Sequence, residues 1–315
     1  ELLNRLKSAL IDKDTSVKLP QFTSCSPGWV KYIEHFYPEY LDHLSTAKSP
    51  QQMFGALLKT YYADKIGVNP ADVVSVAVMP CSAKKFECNR PEMTDSGFKD
   101  VDYGLTTREL AKMIKEAGIY LPEMEKTHFD SPFGDASGAG LIFGATGGVM
   151  EAALRTVYEL VTGREVPFPN LDITPCRGFD GIKEASVKLA NVKPEFSFLE
   201  GVEVKFMIAH GTANAKQVME MLKRGELNDV HFIEVMACPG GCIGGGGQPI
   251  PTNLEIRKKR AEAIYAEDES LELRKSHENK SVQRIYEEYL TDGPCGHLSH
   301  KLLHTTYTKR GKYID

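Results

Sequence analysis

Apolar runs broken by turn-forming clusters recur along the chain, and each carries either strand or helix spacing. Residues 231–236 predict a short buried strand that closes on Cys238. Residues 73–79 predict a second buried strand, closing on Pro80 and Cys81, and residues 202–209 a third. Helical patterns stand between them. Aromatics fall at helical spacing over 29–40. Ser49 is positioned as a cap with Pro50 at the first helical position, for a helix to about Lys65. Thr106 and Glu109 form a capping-box pattern opening a helix to about Ala117, with Gly118 as its stop. Residues 149–161 and 213–223 predict two more, the latter ending near Gly225. Strands alternating with helices imply an α/β fold with a parallel sheet. Cys81 and Cys238 both lie just past the C-terminal end of a strand, the edge at which open parallel sheets bind ligands.

The two ends differ from this core. Residues 1–10 have helical periodicity from the first position with no cap before it, which implies chain upstream. From 252 to 290 the sequence is charge-rich, helical and free of glycine. Residues 293–307 form a polar tail holding His297, His300 and His304. His300 and His304 lie four apart, which admits a metal reading, but surface histidines in a wrapping tail are the expectation.

Composition narrows the class. Hydrophobic residues make up 42% and charged residues 26%, ordinary for a globular protein. The net charge of −5 argues against a general nucleic-acid surface. No apolar stretch is long enough to cross a bilayer, and no secretory signal pattern is visible, so a cytoplasmic protein is expected. Seven cysteines, an odd number in a chain of 315 residues, point to metal ligation or redox chemistry rather than a disulfide scaffold.

Chemistry concentrates around residues 231–249. Cys238 and Cys242 flank Pro239, Gly240 and Gly241, and Gly244 to Gly247 follow. Two thiols wrapped in glycine suggest a soft-metal site with backbone pressed against an inorganic cluster. A flexible loop with incidental buried cysteines is the competing reading. A second glycine-rich stretch, 137–148, lacks the motif and the lysine of a phosphate-binding loop.

Three segments stand out: Thr23-Ser24-Cys25-Ser26-Pro27-Gly28-Trp29, Met79-Pro80-Cys81-Ser82-Ala83-Lys84-Lys85-Phe86-Glu87, and Glu234-Val235-Met236-Ala237-Cys238-Pro239-Gly240-Gly241-Cys242. Together they closely resemble the three signature segments of the iron-only (FeFe) hydrogenases. The resemblance continues through Ala47-Lys48-Ser49-Pro50-Gln51-Gln52, Thr106 to Ala111, Ile142 to Ala153, Arg274 to Asn279 and Ser299 to His304, and so covers essentially the whole chain. It implies a two-lobed α/β domain over 1–250, N-terminally incomplete, with parallel sheets flanked by helices. It implies a helical C-terminal belt over 252–309 that resembles the family's small subunit.

The implied cofactor is the H-cluster, a 4Fe-4S cubane joined to a two-iron subcluster carrying CO, cyanide and a bridging amine dithiolate. The resemblance assigns Cys81, Cys238 and Cys242 to the cubane, with Cys242 bridging to the two-iron unit. Cys25 matches the thiol that passes protons to the amine, and Lys84 the lysine that donates to a cyanide. Met79, Met236 and Phe143 match side chains around the two-iron unit, where Pro80, Ser49 and Gln51 also belong. Ser45 and Glu1 match a hydroxyl and the outer glutamate of the proton path. These types suit the chemistry: thiolates match soft iron–sulfur clusters, and an ammonium supplies point-charge donors to cyanide. The implied reaction is reversible conversion of H2 into two protons and two electrons. The implied partners are maturation proteins and, for electrons, ferredoxin or an upstream iron–sulfur domain or subunit.

The chain departs from the pattern at Ser26, where the family carries a second cysteine that holds the cubane. Either Ser26 supplies a harder oxygen ligand, or Cys25 ligates and the relay is lost. A sensory or inactive relative with an altered cluster is therefore the alternative function. An iron–sulfur assembly factor is a third, opposed by Met79, Lys84 and Met236.

Overall fold

The computed structural model describes residues 1–311. Among the described residues the strands are β1 (Gln21–Phe22), β2 (Val76–Met79), β3 (Tyr103–Thr106), β4 (Ile182–Lys188), β5 (Glu203–His210) and β6 (Phe232–Met236). They form two sheets. One has the order β1-β6-β5-β4 and the other pairs β2 with β3. Strands β1 and β5 run parallel to β6. Strand β4 joins antiparallel to β5. This edge strand has no expectation behind it: Ile-Lys-Glu-Ala-Ser-Val-Lys is too polar to stand out as a core strand, and polar composition is how exposed edges are kept from pairing further.

Helices cover both faces of the larger sheet, which is why its central strands are apolar at nearly every position. Val204, Phe206 and Ile208 of β5 join Met150, Leu154 and Tyr158 of helix Gly148–Thr162 in one core. Met207 and Ala209 join Trp29 and Ile33 of helix Pro27–Phe36 and Val218 of helix Thr212–Lys223 in the other.

The second lobe corrects one expectation. The strand over 73–79 is not buried: Val74, Val76 and Val78 are 62%, 50% and 43% exposed, and Tyr103, opposite Val76, is 64% exposed. With a single partner strand, β2 keeps one of its faces open to solvent. Nearby, helix Thr107–Glu116 starts at the capping box expected at Thr106, with Glu109 bonding back to the Thr106 amide. Helix Pro50–Leu57 runs on through a π turn, Leu58–Tyr62, to Lys65. Ser49 precedes it, but its side chain does not cap; the hydroxyl is turned inward to Glu87.

The C-terminal belt is built into this core. Helices Leu254–Ser270, Lys280–Glu288 and His297–Leu303 wrap the domain, the last within the stretch expected as a polar tail. Buried Asp268 receives a two-pronged bond from buried Arg155 at 2.9 Å on each oxygen, and a further one from Arg274 at 2.7 Å. Arg155 also pairs with Glu151 and Arg274 with Asp172, so these buried charges form one network rather than an isolated pair. Beyond the last helix, Arg310 reaches buried Glu34, which also holds Arg90. Among the described residues, no helix is long and apolar enough to cross a membrane.

Candidate active site

The three segments singled out by sequence meet where β1, β2 and β6 end. Strand β6 delivers Met236, buried, and then Cys238; the chain turns at Gly240 and Gly241 (φ 83° and 87°) into the 3-10 turn Cys242–Gly244. Strand β2 delivers Met79 and Pro80, both partly buried, and then Cys81. The glycine run ties these ends together. Gly247 N–H donates to Pro80 O at 3.0 Å, and a Cβ at Gly245 would lie 2.0 Å from that same oxygen. The glycines of this run therefore press against polypeptide, fixing Cys81 beside the Cys238–Cys242 turn. Ile243 N–H donates to Gly144 O at 3.0 Å, locking the turn onto the second glycine-rich stretch.

Cys81, Cys238 and Cys242 are free thiols, each partly buried. Burial raises the Cys238 thiol, and Cys81 acts in the same sense; burial first, opposed by Lys84, pushes Cys242 up to about 11. Among the described residues they do not converge within 4.8 Å as ligands to one ion. Mutual influence at greater spacing suits ligands to separate irons of a cluster. Ser26 stands before helix Pro27–Phe36, yet its side chain does not cap that helix. The Oγ accepts instead from Ala237 N–H at 3.2 Å, so this oxygen is turned toward the residue before Cys238. Thiols are the donor type an iron–sulfur cluster takes, and the Ser26 hydroxyl beside them is a harder one.

Lys84 is buried, at 7% exposed. It lies in helix Ala83–Glu87, and its Nζ donates to Cys25 O at 3.1 Å and to Glu87 Oε2 at 3.0 Å. Glu87 is the hub of this region. It also accepts from Ser49 Oγ at 2.7 Å and from Gln51 Nε2 at 2.6 Å. Gln51 keeps a buried Oε1 with no protein partner. Desolvation pushes the Cys25 thiol up to about 12, with Lys84 opposing. Phe143 packs against the cluster of Ala139, Ile142 and Ala152; its neighbour Gly144 is what meets the Cys242 turn.

Ser45 and Glu1 are joined directly. Ser45 Oγ donates to Glu1 Oε2 at 2.5 Å, while Arg5 Nη2 and Thr46 N–H hold Oε1 at 2.8 and 3.2 Å. Burial acts to raise the Glu1 pKa, but Ser45, Arg5 and Thr46 together outweigh it and leave it lowered.

Several site residues have no expectation behind them. Glu87 follows Lys84 by three on a helix, and Arg5 follows Glu1 by four; both are spacings that pair opposite charges. Glu234 is an acid inside an otherwise apolar strand, itself a flag, since buried carboxylates need partners. It accepts from Gly147 N–H at 2.6 Å and Met150 N–H at 2.8 Å, at the start of helix Gly148–Thr162. A carboxylate there is favoured by the helix dipole. His210 accepts from Gly240 N–H at 3.0 Å and so steadies the Cys238–Cys242 turn.

Residues 1–246 match the family described as iron only hydrogenase large subunit, C-terminal domain, and residues 254–310 match iron hydrogenase small subunit. NADP-reducing hydrogenase subunit HndD of Solidesulfovibrio fructosivorans is 50% identical over 98% of this chain and 50% of its own. The chain spans about half the length of that relative. A solved apo variant of the FeFe-hydrogenase HydA1 from Chlamydomonas reinhardtii superposes with a TM-score of 0.84 at 41% identity, covering 98% of this chain and 80% of that one. A more distant relative is the cytosolic Fe-S cluster assembly factor narfl of Danio rerio, 30% identical over 98% of this chain and 72% of its own. FeFe-hydrogenases carry the H-cluster, a 4Fe-4S cubane with a two-iron subcluster. With the signature segments gathered at one site and both family matches in order along the chain, this protein belongs to the iron-only hydrogenase family.

Proposed function

We propose that this chain is the H-cluster-binding part of a hydrogenase that interconverts H2 with two protons and two electrons. The observation that carries the reading is buried Lys84, whose ammonium is held between the Cys25 carbonyl and Glu87 and acts on the Cys25 and Cys242 thiols. Glu87 already balances the charge of Lys84, so the feature that discriminates is a point-charge N–H donor held at this place, which matches a cyanide of a two-iron unit and favours a hydrogenase over an assembly factor.

Cys81, Cys238 and Cys242 hold the cubane in this reading, with Ser26 or Cys25 completing it. When bound, the H-cluster supplies the two-electron chemistry at iron. The residues of the chain prepare its surroundings. Lys84 has three N–H donors; Cys25 O takes one and the Glu87 carboxylate lies within bonding distance through both oxygens, so at most one donor is left for an anion. Ser49 and Gln51 orient Glu87, and Glu87 orients Lys84. Met79, Met236, Pro80 and Phe143 supply apolar wall. Cys25 hands a proton inward, and Ser45 and Glu1 carry it to and from the rim. Electrons pass to ferredoxin or to an upstream iron–sulfur domain or subunit, and maturation proteins install the two-iron unit. Free thiols throughout suit a reducing compartment such as the cytoplasm. We divide the chain into the cluster-binding part, 1–250, and the belt, 252–309.

The second reading, a sensory or inactive relative, is favoured by Ser26 alone. Iron content and the infrared bands of bound CO and cyanide, measured on anaerobically matured full-length protein, separate the possibilities. Bands together with H2 turnover are expected. Bands without turnover favour the sensory reading, and iron–sulfur absorbance without bands favours the assembly factor.

Lys84→Asn tests the observation directly. Hydrogen bonds to charged groups contribute about 1.5–3 kcal/mol, so retention of the two-iron unit should weaken roughly tenfold to a hundredfold. The cubane spectrum should be largely unchanged. Equal retention in both proteins would remove Lys84 from the cyanide role.

A further inference from the structure

Strand β6 carries a carboxylate into the core just before the cysteine turn. Glu234 is 0% exposed and stands two residues before Met236. Its oxygens are held by backbone: Gly147 N–H reaches one at 2.6 Å and Met150 N–H the other at 2.8 Å, at the start of helix Gly148–Thr162. An N–H donor on each oxygen, at the positive end of a helix, is the setting of an ionised carboxylate. Burial acts to raise the Glu234 pKa, and the Gly147 and Met150 amides, Lys183 and the Val149 amide oppose it.

Among the described residues, the partners of this carboxylate are amides and not a cation in contact. Lys183, also buried, is bonded instead to the carbonyls of Cys176 at 2.6 Å and Gly178 at 3.0 Å. Gly147 stands between the two charges: its amide is on Glu234, and a Cβ there would lie 1.8 Å from Cys176 O. The same glycine-rich stretch meets the cysteines. Thr146 N–H donates to Gly240 O at 3.0 Å, and Ile243 N–H donates to Gly144 O at 3.0 Å. Amides of adjacent residues lie less than about 4 Å apart, so the Glu234 carboxylate is within roughly 10 Å of the Cys238–Cys242 turn. At the Cys25 and Cys242 thiols, Glu234 adds to burial in disfavouring a negative charge.

We infer that Glu234 sets the potential of the cubane: its buried negative charge disfavours adding an electron to a cluster held by Cys81, Cys238 and Cys242. The inference rests on the reading of those cysteines as cubane ligands. Reduction by the iron–sulfur partner adds one negative charge to the cluster and breaks no bond, so a fixed anion nearby lowers the reduction potential. In an interior of effective dielectric about 20, a unit charge at roughly 10 Å changes such an equilibrium about tenfold. Lys84 does not cancel the effect, because Glu87 already balances it. An electron held at lower potential passes more readily to protons, so the charge favours H2 formation over uptake.

The test is a redox titration of the cubane, followed by electron paramagnetic resonance, in full-length, anaerobically matured protein. Glu234→Gln keeps the size of the side chain and removes its charge. It should favour the reduced cubane about tenfold, an upward shift of about 59 mV for one electron. Glu234→Asp keeps the charge but shortens the reach to the two amides, and its potential should stay near that of the unmodified protein. A purely structural role would move both variants together. That result, or an unshifted potential in Glu234→Gln, would overturn the inference. A second measurement uses the unmodified, cluster-free protein labelled with 13C at the glutamate carboxyls. The Glu234 resonance, identified by its absence from Glu234→Asp, should be that of an ionised carboxylate at neutral pH, and a neutral carboxyl would overturn the inference. Absence of any cubane signal in the unmodified protein would overturn the reading of the cysteines themselves, a result distinct from an unshifted potential.

Discussion

Cys242→Ala is expected to yield a protein with no CO or cyanide bands and no attached two-iron unit. The turn that carries Cys242 is held without its thiol, by Ile243 N–H to Gly144 O, Gly245 N–H to Cys242 O and Gly247 N–H to Pro80 O, at 2.9–3.0 Å. Alanine keeps all three bonds, so the thermal midpoint should barely move and the loss is chemical. Turnover should fall by roughly a thousandfold or more, as when one member of a catalytic unit is removed. Infrared spectra and iron counts of the two proteins, matured side by side, decide the matter. Unchanged bands would show that Cys242 is not the bridge.

Ser26→Cys is expected to raise cubane occupancy and to shift the cluster potential upward. An alkoxide is a harder anion than a thiolate and favours ferric iron, so the unmodified cluster should be the harder one to reduce. The side chain at 26 already faces Ala237 N–H rather than capping its own helix. A sulfur there keeps that donor and takes the place of the oxygen. In the Ser26→Cys background, Cys25→Ser should then remove the relay while keeping the cluster. Turnover should drop about 10²- to 10⁴-fold, the usual contribution of a proton-transfer group. Redox titration of the cubane with H2 assays on the single and double variants reads both effects. If Cys25→Ser in the unmodified chain destroys the cubane, Cys25 is the ligand, the relay does not exist here, and the sensory reading prevails.

Local spacing identifies a serine where a fourth thiol is expected, but a serine before a helix is an ordinary N-cap. Only the packing of the Cys25–Trp29 segment against the end of β6 turns its oxygen away from the helix and toward Ala237. The same holds for Ser49, whose position before Pro50 reads as a cap and whose hydroxyl in fact orients Glu87.

By itself the sequence determined the α/β alternation, the placement of Cys81 and Cys238 past their strands, the capping box at Thr106 and the three cysteine-bearing segments. These are short-range properties, written in apolar periodicity and in residues a few positions apart. Tertiary structure alone decided four things: that β2 is open on one face, that β4 pairs as an antiparallel edge, that Glu87 gathers Ser49, Gln51 and Lys84, and that His304 reaches Thr46. Solvent exposure of a strand depends on what lies across from it, and a polar group's partner depends on which distant segment the fold brings within bonding distance. Neither is encoded in the periodicity of the segment itself.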